Sequence, residues 1–272
     1  NGIIRRQVMA AIEESHLRLT PRELKKQLSG KICVDDKALK TAISDLVLSR
    51  KLTYTYQFGS SFLEKSYEKP TRVSRRVILK PPDMIYEPAP QDIVIDILKG
   101  ASFGFGDHPT TRLAIQGIES ALFNKRSDID VDNDCALDIG TGSGVLAIAA
   151  VLLGIKRAVG IDIDPCARAE AQKNIQLNHL EHRIKILNTR VEDIKETYSL
   201  ITANLRYPTL KRLCHQLSEI TLNNGSVVVS GINSDEVDDL LDNFMQNGFQ
   251  CTWRGDEKGW VGMAFEYMED DK

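Results

Sequence analysis

Long apolar runs are missing from this 272-residue chain. No stretch approaches the roughly 18–20 residues that a membrane-spanning helix needs. The opening NGIIRRQVMAAIEES interleaves charge with apolar residues too closely for a signal peptide. Cysteine is sparse. Cys33, Cys135, Cys166, Cys214 and Cys251 are scattered, odd in number and without a C-x-x-C pair, which argues against a disulfide framework and a zinc site. No metal is expected, and most of the five are expected in the core, where free cysteine behaves as a small hydrophobe. These absences leave no membrane among the partners and point to the cytoplasm. What is present, 42% hydrophobic and 27% charged residues, suits a soluble globular protein of one large domain or two smaller ones.

The net charge of −3 hides a split. Residues 1–82 carry 17 Lys/Arg against 8 Asp/Glu, whereas 83–272 carry 18 against 30. Such asymmetry implies two modules. The basic one either meets an anionic partner, nucleic acid included, docks on an acidic domain, or is simply well solvated.

Three helices and a hairpin are legible near the N-terminus. Ile4, Val8, Ala11 and Ile12 lie on one stripe of a helix over Ile3–Glu14. Thr20, Pro21 and Glu23 are the cap, first position and capping-box acid of a second helix, which carries Leu24 and Leu28 and stops near Gly30. A third starts at Asp35–Asp36 and carries Leu39, Ala42, Ile43, Leu46 and Leu48. LTYTYQF and SFLEKSY then alternate like two short strands joined at Gly59-Ser60. This order resembles a winged helix-turn-helix, whose third helix would expose Lys37, Lys40 and Arg50. Winged helices also dock on proteins, so the pattern alone does not select a partner. Residues 65–90 hold five prolines, the mark of a linker, with room for a short strand at Arg76–Leu79. The expected organisation is a winged-helix-like α+β recognition domain over 1–80, a Pro-rich linker over 81–91, and a second domain over 92–272.

In that second domain strands and helices alternate. Strands fit Ala136–Ile139, Ala158–Ile163, Ile184–Leu187, Leu200–Asn204 and Val227–Gly231; helices fit Gly144–Leu153, Cys166–Leu180, Thr209–Leu217 and Glu236–Asn247. Two last strands, Phe249–Arg254 and Gly259–Glu266, have no helix between them. This predicts a doubly wound, mostly parallel, Rossmann-like α/β sheet of seven strands with an antiparallel strand at one edge.

The chemistry centres on LDIGTGSGVLAIAA, residues 137–150. An apolar strand ends in Asp138, and Gly140, Gly142 and Gly144 lead into an apolar helix. Glycines let the backbone turn sharply and approach a ligand, and open α/β sheets bind ligands beyond the carboxyl ends of their strands. A dinucleotide fingerprint would place its third glycine at position 145, which is Val. Asp138 suits a cationic α-amino group. Asp162 closes the second strand 22 residues after Gly140 and suits two ribose hydroxyls. Asp164, before Pro165, suits a helix cap.

This pattern resembles class I S-adenosylmethionine-dependent methyltransferases. With GASFGFGDHPTTR (100–112) and ITANLRYPTL (201–210), the chain further resembles, from about Asp92 to Phe265, the methyltransferases of large-subunit ribosomal protein eleven. The resemblance implies S-adenosylmethionine as cofactor, contacted by Thr111, Gly140, Asp162 and Asn204. Phe103, Gly104 and His108 would close the pocket. Without the resemblance, His108-Pro109-Thr110-Thr111 reads only as a helix start capped by Thr. The cofactor-binding set is completed by Asp138, Gly142, Gly144, Ile163 and Val191, the last beside Thr189 and Arg190 on the adenine side. Arg190 is either part of that wall or a surface charge. Asn204-Leu205-Arg206-Tyr207 matches the first and fourth places of the N-P-P-Y motif of amino-group methyltransferases. Asn204 and Tyr207 are therefore the expected catalytic pair, unless Tyr207 merely packs at the pocket wall.

The expected function is S-adenosylmethionine-dependent methylation of an amino nitrogen of a protein, possibly ribosomal. The alternatives are N-methylation of RNA or DNA guided by the basic N-terminal domain, and a non-enzymatic regulator that binds DNA and senses the cofactor.

Overall fold

The computed structural model describes residues 2–15, 19–30, 35–57, 60–66, 69–123 and 134–268. It divides into two compact units, Asn1–Lys69 and Pro70–Lys272.

The first unit runs α1 (Gly2–Glu14), α2 (Pro21–Ser29), α3 (Asp36–Leu48), β1 (Leu52–Gln57) and β2 (Ser60–Lys65). Thr20 and Glu23 form the reciprocal capping box of α2, and the Asp35 carboxylate accepts the Ala38 N–H at 2.7 Å to cap α3. Both caps satisfy amides that a helix start leaves without partners. One face of each helix meets the hairpin in a core of Val8, Ala11, Ile12, Leu24, Leu28, Leu39, Ile43, Leu46, Leu52 and Leu63. Leu19 also forms an antiparallel bridge to Leu63. Lys37, Lys40 and Arg50 are exposed. Gly59 and Cys33 lie outside the described residues.

The second unit contains β3 (Thr71–Arg72), β4 (Val77–Lys80), β5 (Ile93–Asp96), α4 (Pro109–Phe123), β6 (Cys135–Ile139), α5 (Val145–Leu153), β7 (Arg157–Ile161) and α6 (Pro165–Leu177). It continues with β8 (Ile184–Leu187), β9 (Tyr198–Asn204), α7 (Tyr207–Ile220), β10 (Thr221–Asn233), α8 (Val237–Gln246), β11 (Phe249–Glu257) and β12 (Trp260–Tyr267). Seven strands form one sheet in the order β11-β12-β10-β9-β6-β7-β8. The antiparallel strand is β12, which pairs with both β10 and β11; it is second from the edge. Strands β6 and β9 and residues Gly225–Ser230 of β10 are almost wholly buried, because helices cover both faces. Helix α5 is apolar all round, and eight of its residues are buried, as expected of a helix with packing on every side.

The boundary falls at Lys69–Pro70, not within 81–91. Strands β3, β4 and β5 form a sheet inside the second unit, with Val77, Ile78, Leu79 and Ile95 buried. The prolines of 81–90 belong to the connection between β4 and β5. There the Asp92 carboxylate accepts the Tyr86 hydroxyl at 2.7 Å and the Ala89 N–H at 3.1 Å, and pairs with Arg72. Strands of two to four residues are too short to show a period, so composition alone suggested a linker. The cysteines are also less buried than expected. Cys214 is buried, Cys135 and Cys251 are intermediate, and Cys166 in the first turn of α6 is exposed. No described helix is long and apolar enough to cross a membrane.

Candidate cofactor and active site

The first sheet strand, β6, lies centrally. The chain moves outward through β7 and β8, then returns to the other side of β6 with β9. This reversal creates a crevice at the carboxyl ends of β6, β7 and β9. A cavity of about 740 Å³ occupies it, within the size range of small-molecule sites.

The glycine turn forms its floor. Gly140, Gly142 and Gly144 all have positive φ, which β-carbon-bearing residues rarely adopt. At Gly142 a β-carbon would also sit 2.7 Å from the Phe103 carbonyl oxygen. Asp162 follows β7. Its carboxylate accepts the Gly142 N–H at 3.0 Å and the Asp164 N–H at 2.9 Å, so it ties the glycine turn to the start of α6. A carboxylate has about four lone-pair sites, which leaves capacity toward the cavity it lines. Asp164 caps α6 through the Cys166 N–H. Ile163 lines the same wall and is 74% exposed. Thr189, Arg190 and Val191 also line the cavity, and Arg212 pairs with Glu192 at 3.1 Å nearby.

Thr111 enters from the first turn of α4. The residue is fully buried and lines the cavity, yet its hydroxyl has no hydrogen-bond partner. Buried hydroxyls are normally satisfied, so a ligand atom is the natural partner. Asn204, at the end of β9, lines the cavity too. Gly231 (φ +92°) gives it room: a β-carbon there would lie 2.3 Å from the Leu205 carbonyl oxygen and 3.3 Å from Asn204 Oδ1. Sequence reasoning missed Gly231, whose signal is a glycine at a strand end opposite the asparagine.

Phe103, Thr111, Gly140, Gly142, Asp162, Ile163, Val191 and Asn204 thus converge on one cavity, while four predicted residues do not line it. Asp138 is buried in the sheet, where its carboxylate accepts the Thr141 hydroxyl at 2.6 Å and the Thr202 hydroxyl at 2.7 Å. Burial pushes its carboxyl pKa up, against the pull of those two bonds. It positions Thr141, which does line the cavity, and is not itself among the residues that could meet the α-amino group of a bound cofactor there. Gly144 starts α5 against Ala171. His108 caps α4 by accepting the Thr110 N–H, with its ring between those of Phe103 and Trp260. Tyr207 faces the start of α8: its hydroxyl donates to Asp239, and Lys211 sits beside both.

The sequence model of the ribosomal protein L11 methyltransferase (PrmA) family matches residues 62–267. The chain belongs to this family. It is 36% identical to the ribosomal protein L11 methyltransferase of Heliobacterium modesticaldum over 68% of its length and 56% of that protein's. With the Geobacter metallireducens protein of the same name it shares 34% over 72% of its own length and 62% of the relative's. The chain therefore spans less than two thirds of these curated relatives. A crystal structure of ribosomal protein L11 methylase from Lactobacillus delbrueckii subsp. bulgaricus superposes with a TM-score of 0.64 at 29% identity, covering 75% of this chain and 100% of that one.

S-adenosylmethionine is the cofactor of this family, and the cavity's donor set fits it. Asp162 offers acceptors for hydroxyls, the Thr111 hydroxyl lacks a protein partner, and the glycine turn admits a close ligand.

Proposed function

We propose that the chain is an S-adenosylmethionine-dependent N-methyltransferase that acts on an amino nitrogen of a ribosomal protein, in the cytoplasm. The observation that carries this reading is one cavity in which Thr111, the glycine turn, Asp162 and Asn204 meet at the switch point of the sheet. The curated relatives named ribosomal protein L11 methyltransferase support the substrate class.

S-adenosylmethionine supplies an electrophilic methyl group when bound. The residues of this chain supply placement. Asp162 would hold the ribose hydroxyls, Thr111 would give its hydroxyl to the cofactor, and Val191 would cover the adenine. Asn204 has the acceptor chemistry for the task left over: its carbonyl can take a hydrogen bond from a target N–H and aim the nitrogen lone pair at the methyl. An amide is no strong base, and lysine has a pKa of about 10.4 in water. Desolvation within the site would favour the neutral amine, its proton leaving to solvent. Orientation of this kind contributes about 7–11 kcal/mol in well-aligned reactions.

The test is transfer of radiolabelled methyl to a cell extract, followed by protease or nuclease. Label on a protein of the large ribosomal subunit, removed by protease and untouched by nuclease, is expected. Label removed by nuclease would replace this reading with nucleic-acid methylation guided by the first unit. Cofactor binding with no transfer to any fraction would support a cofactor-sensing regulator.

A further inference from the structure

The cavity wall formed by residues 101–104 comes from an irregular loop, which is tied down in three places. At its start, Glu170 of α6 accepts the Ala101 N–H at 2.9 Å and the Ser102 N–H at 3.0 Å. In the middle, the Phe103 carbonyl accepts the Ser143 N–H at 2.9 Å. At its end, the Arg112 guanidinium of α4 donates to the Gly106 carbonyl at 2.7 Å and the Asp107 carbonyl at 2.9 Å. Arg112 is buried, and its Nε donates to Glu257 at 3.0 Å. Glu257 ends β11, at the tip of the β11–β12 hairpin. Across the turn, Trp260 meets the His108 ring at 5.0 Å between centroids, and His108 meets Phe103 at 5.1 Å.

One hairpin tip therefore grips the loop along two routes: Glu257 through Arg112 to two backbone carbonyls, and Trp260 through His108 to Phe103. The loop has little choice of path between these anchors. Gly104 (φ +110°) and Gly106 (φ +90°) turn it where a β-carbon would strike Ser143 Oγ at 2.4 Å and Leu79 Cδ1 at 2.5 Å. A buried arginine committed at once to a carboxylate and two carbonyls is a three-way joint that a lysine cannot copy, because a single ammonium lacks the planar fork.

We propose that the tip of the C-terminal hairpin acts as a clasp, with Arg112 as the positioning residue that keeps the 101–107 loop against the cofactor cavity. The proposal deepens the reading of that cavity as an S-adenosylmethionine site and rests on it. Arg112 does not line the cavity, so its effect is on cofactor affinity and not on the reacting atoms.

The test uses the full chain, with S-adenosylhomocysteine affinity by calorimetry, hydrogen exchange of amides 100–108, and donor KM measured separately from kcat. Arg112→Met should weaken S-adenosylhomocysteine about ten- to a hundredfold. Exchange should quicken over 100–108 and stay unchanged in β6 and β9. At saturating donor kcat should remain within about twofold of wild type, since binding is affected and not the transition state. Arg112→Lys should not rescue affinity. If Arg112→Met does not fold, Glu257→Ala at the hairpin tip decides, with a smaller loss of affinity and the same local gain in exchange. Unchanged affinity and exchange in a chain that binds S-adenosylhomocysteine would overturn the clasp. If the wild-type chain binds no S-adenosylhomocysteine but Arg112→Met still quickens exchange over 100–108, the clasp stands and the cofactor reading falls.

Discussion

The two units solve burial in different ways. In the first, amphipathic helices and a hairpin enclose a small core. In the second, strands distant in sequence are buried on both faces of a seven-stranded sheet, and their carboxyl ends are fixed closely enough to assemble a site. The match to the ribosomal protein L11 methyltransferase family begins at residue 62, so nearly all of the first unit lies outside it. The proposed cofactor site thus lies in the unit that carries the family match, and the first unit, we propose, chooses the partner. The charge split also changes once the boundary is moved. The first unit holds 13 Lys/Arg against 8 Asp/Glu and the second 22 against 30, so the first is less basic than residues 1–82 taken together.

The largest effect expected is at the boundary. A fragment beginning at Pro70 should melt cooperatively and bind S-adenosylhomocysteine, but lose most methylation of the native target. A fragment beginning at Pro82 loses β3 and β4, and with them Val77, Ile78 and Leu79, which are 0%, 1% and 3% exposed. Each such side chain contributes about 1.5–3 kcal/mol by burial, a large part of a typical domain stability of about 5–15 kcal/mol. Circular dichroism should show no sharp transition for it. Equal melting of both fragments would return the boundary to 81–91, and full activity of the Pro70 fragment would remove the first unit from substrate choice.

Next in size is Asn204. If its amide aims the nucleophile, Asn204→Ala should cut the single-turnover rate about a hundredfold at saturating cofactor, with a smaller loss of affinity. A rate equal to wild type would make Asn204 a cofactor ligand only. Asp162→Ala should act the other way, weakening S-adenosylhomocysteine about tenfold through lost hydrogen bonds to a charged acceptor. Because Asp162 also ties Gly142 to Asp164, the melting temperature of the same variant is the control. Unchanged affinity in a folded variant would rule the role out.

These sites differ in how much the sequence disclosed. Glycine spacing and strand-end acids are local, so the turn at 140–144 and Asp162 were legible. The capping box at Thr20 was legible for the same reason. Helix α4 disclosed only its start, because twelve of its fifteen residues are buried, Thr110, Thr111, Arg112 and Glu119 among them, so polarity along it does not mark an exposed face. Side-chain direction was the harder matter. Asp138 sits one residue before the end of β6, where its side chain shares a face of the sheet with that of Thr202, its register partner on β9, a pairing no local pattern reveals. Arg112 and Glu257 are 145 residues apart, which explains why their joint was unreadable.

Asp138 offers a smaller, pH-dependent effect. Its folded pKa is raised by burial, so between the unfolded value of about 3.9 and the higher folded value the folded chain holds the extra proton. Stability from this group is present below the unfolded pKa and is lost as pH rises through the folded one. Asp138→Asn has no such titration, so wild type should lose stability relative to the variant as pH climbs above about 4. Denaturant melts at several pH values would check this, and a wild type that gains stability relative to the variant as pH rises would reverse the assignment.

The smallest effect is expected at Tyr207, where the N-P-P-Y comparison and the geometry part company. The N-P-P-Y comparison would set an aromatic wall over a planar target, but Tyr207 is not among the residues lining the cavity. Its hydroxyl donates to Asp239 beside Lys211, and its partly buried ring packs on the core of the second unit. The Asp239 bond holds the phenol above its ordinary pKa, so it stays protonated at neutral pH and offers no base to an amine. Tyr207→Phe keeps the ring and gives up only exposed polar contacts, which contribute little to stability. Its turnover should match wild type. Tyr207→Ala removes packing and should lower the melting temperature while kcat in the remaining folded enzyme changes little. A loss of kcat in Tyr207→Phe comparable to that of Asn204→Ala would place the phenol at the reacting atoms after all, and would mean that α7 starts differently when substrate is bound.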